Sequence, residues 1–130
     1  MILKQLSVFV ENREGRMLSI TRALKNNDID IKTLSLADTS EYGMLRLIVS
    51  DPDKARTVLR EEGFPVSITD VLAVQSQARI GYLHDLLKAL SDEITSIEYM
   101  YTLPTEGDPV IILKVANPAE VEKALDAKGL

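Results

Sequence analysis

The sequence predicts an α+β fold made of two β-α-β-β-α-β units, the second without its last strand. Three observations carry this. Sliding the 130-residue chain by 66 positions lays residues 5–64 on residues 71–130 without a gap. Segments whose apolar residues recur at period two alternate, in the same order in both copies, with segments of helical period. Identical pairs fall on turn and core positions, among them Leu6/Leu72, Val8/Val74, Gly15/Gly81, Leu24/Leu90, Pro52/Pro118, Leu59/Leu125 and Gly63/Gly129. Repeats are weighed first because overlooking one misassigns the whole architecture.

In the first unit, Leu6, Val8 and Val10 share one face of a half-buried strand. The polar stretch from Glu11 to Gly15 is a turn. Met17, Ile20 and Leu24 then give an amphipathic helix, which ends at Asn26-Asn27-Asp28. Ile29 to Ala37 and Met44 to Val49 read as strands around a polar turn. Asp51 is placed as N-cap and Pro52 at the first helical position, where a missing N–H costs nothing. Ala55, Val58 and Leu59 form the apolar face of that helix, Gly63 suits a left-handed position after it, and Val66 and Ile68 open a fourth strand. The second unit repeats the order: a strand over Val71 to Gln75, a turn to Gly81, and a helix lined by Leu83, Leu86, Leu87 and Leu90. Strands over Thr95 to Leu103 and Val110 to Ala116 follow, then a helix capped by Asn117-Pro118.

The expected units are residues 1–70 and 71–130. Almost no linker separates them, because Val66 to Gln75 passes from the last strand of one into the first strand of the next. Units near 60 residues are marginal alone, so the halves are expected to unfold as one body. The missing fourth strand would leave Val71 to Gln75 with an open edge. Open edges recruit partners, so a homodimer that covers this edge or the polar-apolar outer sheet face is expected.

Composition excludes much chemistry. There is no cysteine or tryptophan, one histidine (His84) and a net charge of −5. Disulfides, thiolate metal sites and cysteine nucleophiles are ruled out. A catalytic triad or histidine metal site would rest on His84 alone, so no metal, cofactor or catalytic residue is expected. The acidic balance and the absence of a basic run argue against nucleic acid. No apolar run approaches the roughly 20 residues that cross a bilayer, and no signal peptide is visible, so a cytoplasmic protein is expected.

The turn between first strand and first helix, Val8-Phe9-Val10-Glu11-Asn12-Arg13-Glu14-Gly15-Arg16-Met17-Leu18, resembles the Asn-x-x-Gly loop of ACT domains, small-molecule sensors of amino-acid metabolism. Glu14 stands where that family often has proline. The second copy, Gln77 to Leu83, keeps Gly81 but has Ala78 and Ile80 in place of the Asn and the Pro. Ile97-Glu98-Tyr99-Met100-Tyr101 is similar to the second strand of the second unit in small tandem ACT proteins. The resemblance implies two ferredoxin-like units with antiparallel sheets. It implies a non-catalytic sensor that binds an amino acid or related small carboxylate, has no cofactor, and regulates a metabolic partner. A regulatory subunit of a biosynthetic enzyme such as acetolactate synthase is the nearest alternative. An acylphosphatase-like enzyme shares the strand order but lacks a recognisable phosphate loop here.

The loop chemistry suits such a ligand. Helix-start N–H groups and the helix dipole favour a carboxylate near Gly15 and Gly81. Glycine lets a ligand approach the backbone, and Asn12, Glu11 or Glu98 would accept from an ammonium group. In the family, units pair through their second strands, with the ligand between one loop and the other unit's strand. This carries over to a first loop of Glu11, Asn12, Arg13, Gly15, Arg16, Met17 and Leu18 facing Glu98, Tyr99, Met100 and Tyr101. The second loop, Gly81, Tyr82 and Leu83, would face the strand around Ser35. Because the Asn is lost from the second loop, one good site at the first is expected over two equal ones.

Overall fold

The computed structural model describes residues 1–11, 13–38, 41–93 and 95–130. It contains β1 (Ile2–Glu11), α1 (Arg16–Asn26), β2 (Ile31–Asp38), β3 (Tyr42–Val49), α2 (Pro52–Glu61), β4 (Val66–Gln75), α3 (Tyr82–Asp92), β5 (Tyr99–Leu103), β6 (Val110–Lys114) and α4 (Pro118–Ala127). The tandem ferredoxin-like arrangement expected from the repeat is present. Two compact units form: Lys4–Thr69, and Asp70–Leu130 together with Met1–Leu3.

In the first unit the strand order is β2-β3-β1-β4. β1 and β2 both run antiparallel to β3, with Leu6 and Leu34 flanking Leu47, and Val8 and Leu36 flanking Leu45. Period two therefore sends Leu6, Val8 and Val10 to one face, where they meet Ile20 and Leu24 of α1 and Ala55 and Leu59 of α2 in a closed core. The Asp51 carboxylate accepts from Lys54 N at 3.1 Å, the cap expected from its place before Pro52.

In the second unit, β6 lies between β4 and β5, with Leu72 opposite Leu113 and Met100 opposite Leu113 from the other side. Its core of Leu72, Val74, Leu86, Leu90, Leu113, Val121 and Leu125 falls 66 positions after that of the first unit. Burial thus reproduces the sequence repeat. Some local expectations need correction. β5 starts at Tyr99 and not at Thr95, because Thr95 N donates back to Leu90 O at 3.0 Å and holds that residue to the end of α3. Asn117 makes no side-chain cap bond, and α4 starts through its backbone alone.

A larger correction concerns the edge of Val71 to Gln75. No strand follows α4 among the described residues, yet this edge is covered. Ala73 N donates to Met1 O at 2.7 Å, and the Met1 amino group donates to Ala73 O at 3.0 Å. The Met1 amino group also pairs with Glu122. The start of β1 thus occupies the place of the absent fourth strand. The expected recruitment of a second copy along this edge loses its physical basis, because the ladder groups of Ala73 are already paired.

Candidate functional site

The two strand-to-helix turns match bond for bond. Arg13 N donates to Glu11 O (2.7 Å), Arg16 N to Arg13 O (3.4 Å) and Ser19 N to Gly15 O (3.0 Å). In the second turn Arg79 N donates to Gln77 O (2.8 Å), Tyr82 N to Arg79 O (3.4 Å) and Asp85 N to Gly81 O (2.9 Å). Gly15 (φ +82°) and Gly81 (φ +86°) both sit in the left-handed region immediately before their helices. A Cβ added at either would meet nothing within 4 Å. Both glycines therefore meet a backbone angle that other residues rarely adopt, with open space where a side chain would stand. The N-cap of each helix is a glycine and so contributes no side-chain cap.

Side chains make the two turns chemically different. In the second, Arg79 pairs with Asp85 at 2.7 Å, donates to Gln77 Oε1 at 3.3 Å and lies 5.4 Å from the centre of the Tyr82 ring. Tyr82 is buried, and its hydroxyl donates to Gln75 O at 3.2 Å. Burial raises that hydroxyl above the usual tyrosine value, opposed by the Arg79 charge. Asp85 already places a carboxylate in the first turn of α3, where the dipole favours it.

The first turn has no such closure. Arg13 pairs with Glu11 at 2.8 Å, but α1 has no acidic residue in its first turn. Arg16 stands where the second turn has Tyr82, with its guanidinium 4.4 Å from the centre of the buried Phe64 ring. Among the described residues the buried Nε of Arg16 has no hydrogen-bond partner. Arg16 lines three cavities. One of about 70 Å³ includes Met17, Leu36 and Gly43, and an open one of about 620 Å³ runs along Arg13 to Arg22. The third, about 350 Å³, is bounded by Phe9, Glu11, Arg16, Tyr42, Gly63 and Pro65. Phe9 and Tyr42 meet edge to face there at 6.2 Å, each about half exposed.

The structure gathers Glu11, Arg13, Gly15, Arg16, Met17 and Leu18 around the start of α1. Asn12 lies outside the described residues. Ser35 pairs with Arg46, on the sheet face opposite the core. Tyr99 and Tyr101 stack at 6.4 Å on β5, while Met100 points to the other face. Glu98 pairs with Lys114 at 3.5 Å, and both line a cavity of about 620 Å³ with Glu93, Asn117 and Glu120. Leu83 is exposed beside Gly81. Phe9 and Tyr42 were not singled out from sequence. Only the β1–β3 register, with Glu11 opposite Tyr42, shows that they meet. No group of three or more His, Cys, Asp or Glu among the described residues is placed to hold a metal. No helix among them is long and apolar enough to cross a membrane.

Two ferredoxin-like units, each with a glycine-started helix beside its first strand, define a tandem α+β module. The chain belongs to the ACT domain pair family, whose sequence profile matches residues 1–128. It is similar to the crystal structure of protein BT0572 from Bacteroides thetaiotaomicron, with 36% identity over 99% of this chain and 90% of that one and a TM-score of 0.92. The regulatory subunit of aspartate kinase from Thermus thermophilus shares the fold at 15% identity, covering 97% of this chain and 90% of that one, with a TM-score of 0.68. That from Thermus flavus does so at 17% identity, 95% and 88% coverage, and a TM-score of 0.65. No curated protein matches significantly.

Proposed function

We propose that this chain is a non-catalytic sensor that binds one amino acid, or a related small carboxylate, at the first turn and regulates a metabolic enzyme. The observation that carries this is Arg16. A guanidinium that stacks on Phe64 and lines three cavities stands at the start of a helix that has no acidic residue in its first turn. A carboxylate there gains a charge-assisted hydrogen bond and the helix dipole together. Glu11, beside it, offers an acceptor to the ammonium end. In the second turn Tyr82 fills the equivalent position and Asp85 supplies the anion, so this reading places one site per chain.

Regulation of a partner requires that the ligand bind two states with different affinity. The shared fold with regulatory subunits of aspartate kinase supports an enzyme partner in amino-acid metabolism, and hence a cytoplasmic setting. A homodimer joined through outer strands is part of the proposal. β2 hydrogen-bonds to β3 alone and carries exposed Leu34 and Leu36, and Leu18 of α1 is also exposed. A monomer by light scattering at working concentration removes the dimer.

A thermal-shift screen of the proteinogenic amino acids at millimolar concentration tests the sensor reading, since a binder stabilises by mass action. A shift with one or a few of them that disappears in Arg16→Gln is expected. No shift with any of them overturns it.

A further inference from the structure

The 350 Å³ cavity has a composition that the proposed binding of an amino acid does not require. Its walls carry one guanidinium (Arg16), one carboxylate (Glu11) and two half-exposed aromatic rings (Phe9 and Tyr42). Exposed rings in contact at an edge-to-face distance of 6.2 Å leave apolar surface in water. The rest of the lining, Gly63 and Pro65, adds no charge. All six residues belong to the compact unit Lys4–Thr69, so the cavity is complete within one unit. Its volume reaches the lower end of the range of small-molecule pockets, about 300 to 1,000 Å³, whereas the 70 Å³ cavity on the other side of Arg16 is too small for a ring.

From this we infer that the first turn selects an amino acid with an aromatic side chain. The inference rests on the reading that this turn binds an amino acid. The α-carboxylate lies on the Arg16 guanidinium at the cavity wall. The ammonium group shares the Glu11 carboxylate with Arg13, which already holds it at 2.8 Å. The side-chain ring lies on Phe9 and Tyr42, and its burial withdraws their faces from water. An aliphatic ligand of equal size gains the ion pairs without the ring contacts. A basic side chain likewise brings no ring to stack on Phe9 and Tyr42. The second unit has no counterpart, because Gln75 stands in place of Phe9, Asp108 in place of Tyr42 and Gln77 in place of Glu11.

The chain has no tryptophan, so the emission of added L-tryptophan is read without background. Titration of the full chain into L-tryptophan should shift that emission to the blue and saturate at one site per chain. L-phenylalanine and L-tyrosine should compete, and L-leucine and L-lysine should not. Phe9→Ala and Tyr42→Ala should each weaken binding by about two- to tenfold while their ligand-free melting temperatures stay close to wild type. If a non-aromatic amino acid binds, its binding is lost in Arg16→Gln and the two aromatic variants leave it unchanged, the aromatic inference is overturned and the sensor reading stands. Aromatic binding that survives both alanine substitutions likewise overturns the inference. If no amino acid of any class binds, both fail.

Discussion

The start of α1 and the start of α3 share a backbone and differ in what their side chains do with it. Three equivalent backbone hydrogen bonds and a left-handed glycine build each turn. A large ring backs each of them from the core, Phe64 in one unit and Tyr82 in the other. In the second turn the ring belongs to the helix's own first residue, and its hydroxyl, the Arg79–Asp85 pair and Gln77 satisfy one another. In the first the ring comes from beyond α2, and the helix's first residue is an arginine stacked on it with a partner missing among the described residues. Duplicated backbone with divided chemistry closes one turn on itself and leaves the other as the one proposed to take an anion.

The strongest test exchanges the chemistry. Arg16→Tyr with Ser19→Asp copies the second turn onto the first. It should abolish the ligand-induced thermal shift, because charge-assisted hydrogen bonds contribute about 1.5–3 kcal/mol, roughly a ten- to hundredfold loss of affinity. Retained binding in this variant would show that the difference between the turns is irrelevant to the ligand. Next in size is the strand that completes the second unit. Deleting Ile2 and Leu3 leaves Ala73 without its two bonds to Met1 and should cost about 1–3 kcal/mol in denaturant melts, at about 0.5–1.5 kcal/mol per bond. An unchanged midpoint would mean that the covering strand is dispensable.

Gly15→Val should destabilise by about 1–3 kcal/mol, because φ is +82° and a β-branched residue is strained there. Gly15→Asn should cost less, since asparagine tolerates this region. Equal costs would point to a clash that the open space around Gly15 does not show. The smallest effect is alkaline. The folded Tyr82 holds its proton more tightly than the unfolded chain does, so its contribution is intact below the ordinary tyrosine value of about 10. It is lost as pH climbs through that value toward the raised folded one. Tyr82→Phe should lose about 0.5–1.5 kcal/mol at neutral pH with the bond to Gln75 O. It should also show a shallower decline in stability above pH 10, measured by urea unfolding across pH. A decline as steep as wild type assigns it to other groups.

Much of the fold was legible because it rests on local rules. Leu6, Val8, Leu72 and Val74 alternate at period two, Ile20 and Leu24 recur at helical spacing, and Pro52 and Pro118 start helices wherever they are placed. The 66-residue offset made each assignment twice. The two candidate turns were legible for a similar reason: a glycine between a strand and an amphipathic helix marks a helix start, and Gly15 and Gly81 stand there. Sequence reasoning went astray where the answer depended on a distant segment. It left Val71 to Gln75 uncovered because nothing local says that Met1 lies beside Ala73. It also extended β5 back to Thr95, whose N–H is taken by Leu90.

The sequence by itself determined the duplicated units, their cores and the two helix starts, since periodicity, proline geometry and positive φ are properties of a few neighbouring residues. Only the tertiary structure decided that the start of β1 pairs with Ala73 on the edge the sequence left open. It also set Arg16 over Phe64 with a nitrogen that has no partner among the described residues, and brought Phe9 and Tyr42 to one cavity wall. These depend on strand register and on which side chains share a volume, and both are fixed only when segments far apart in the chain pack together.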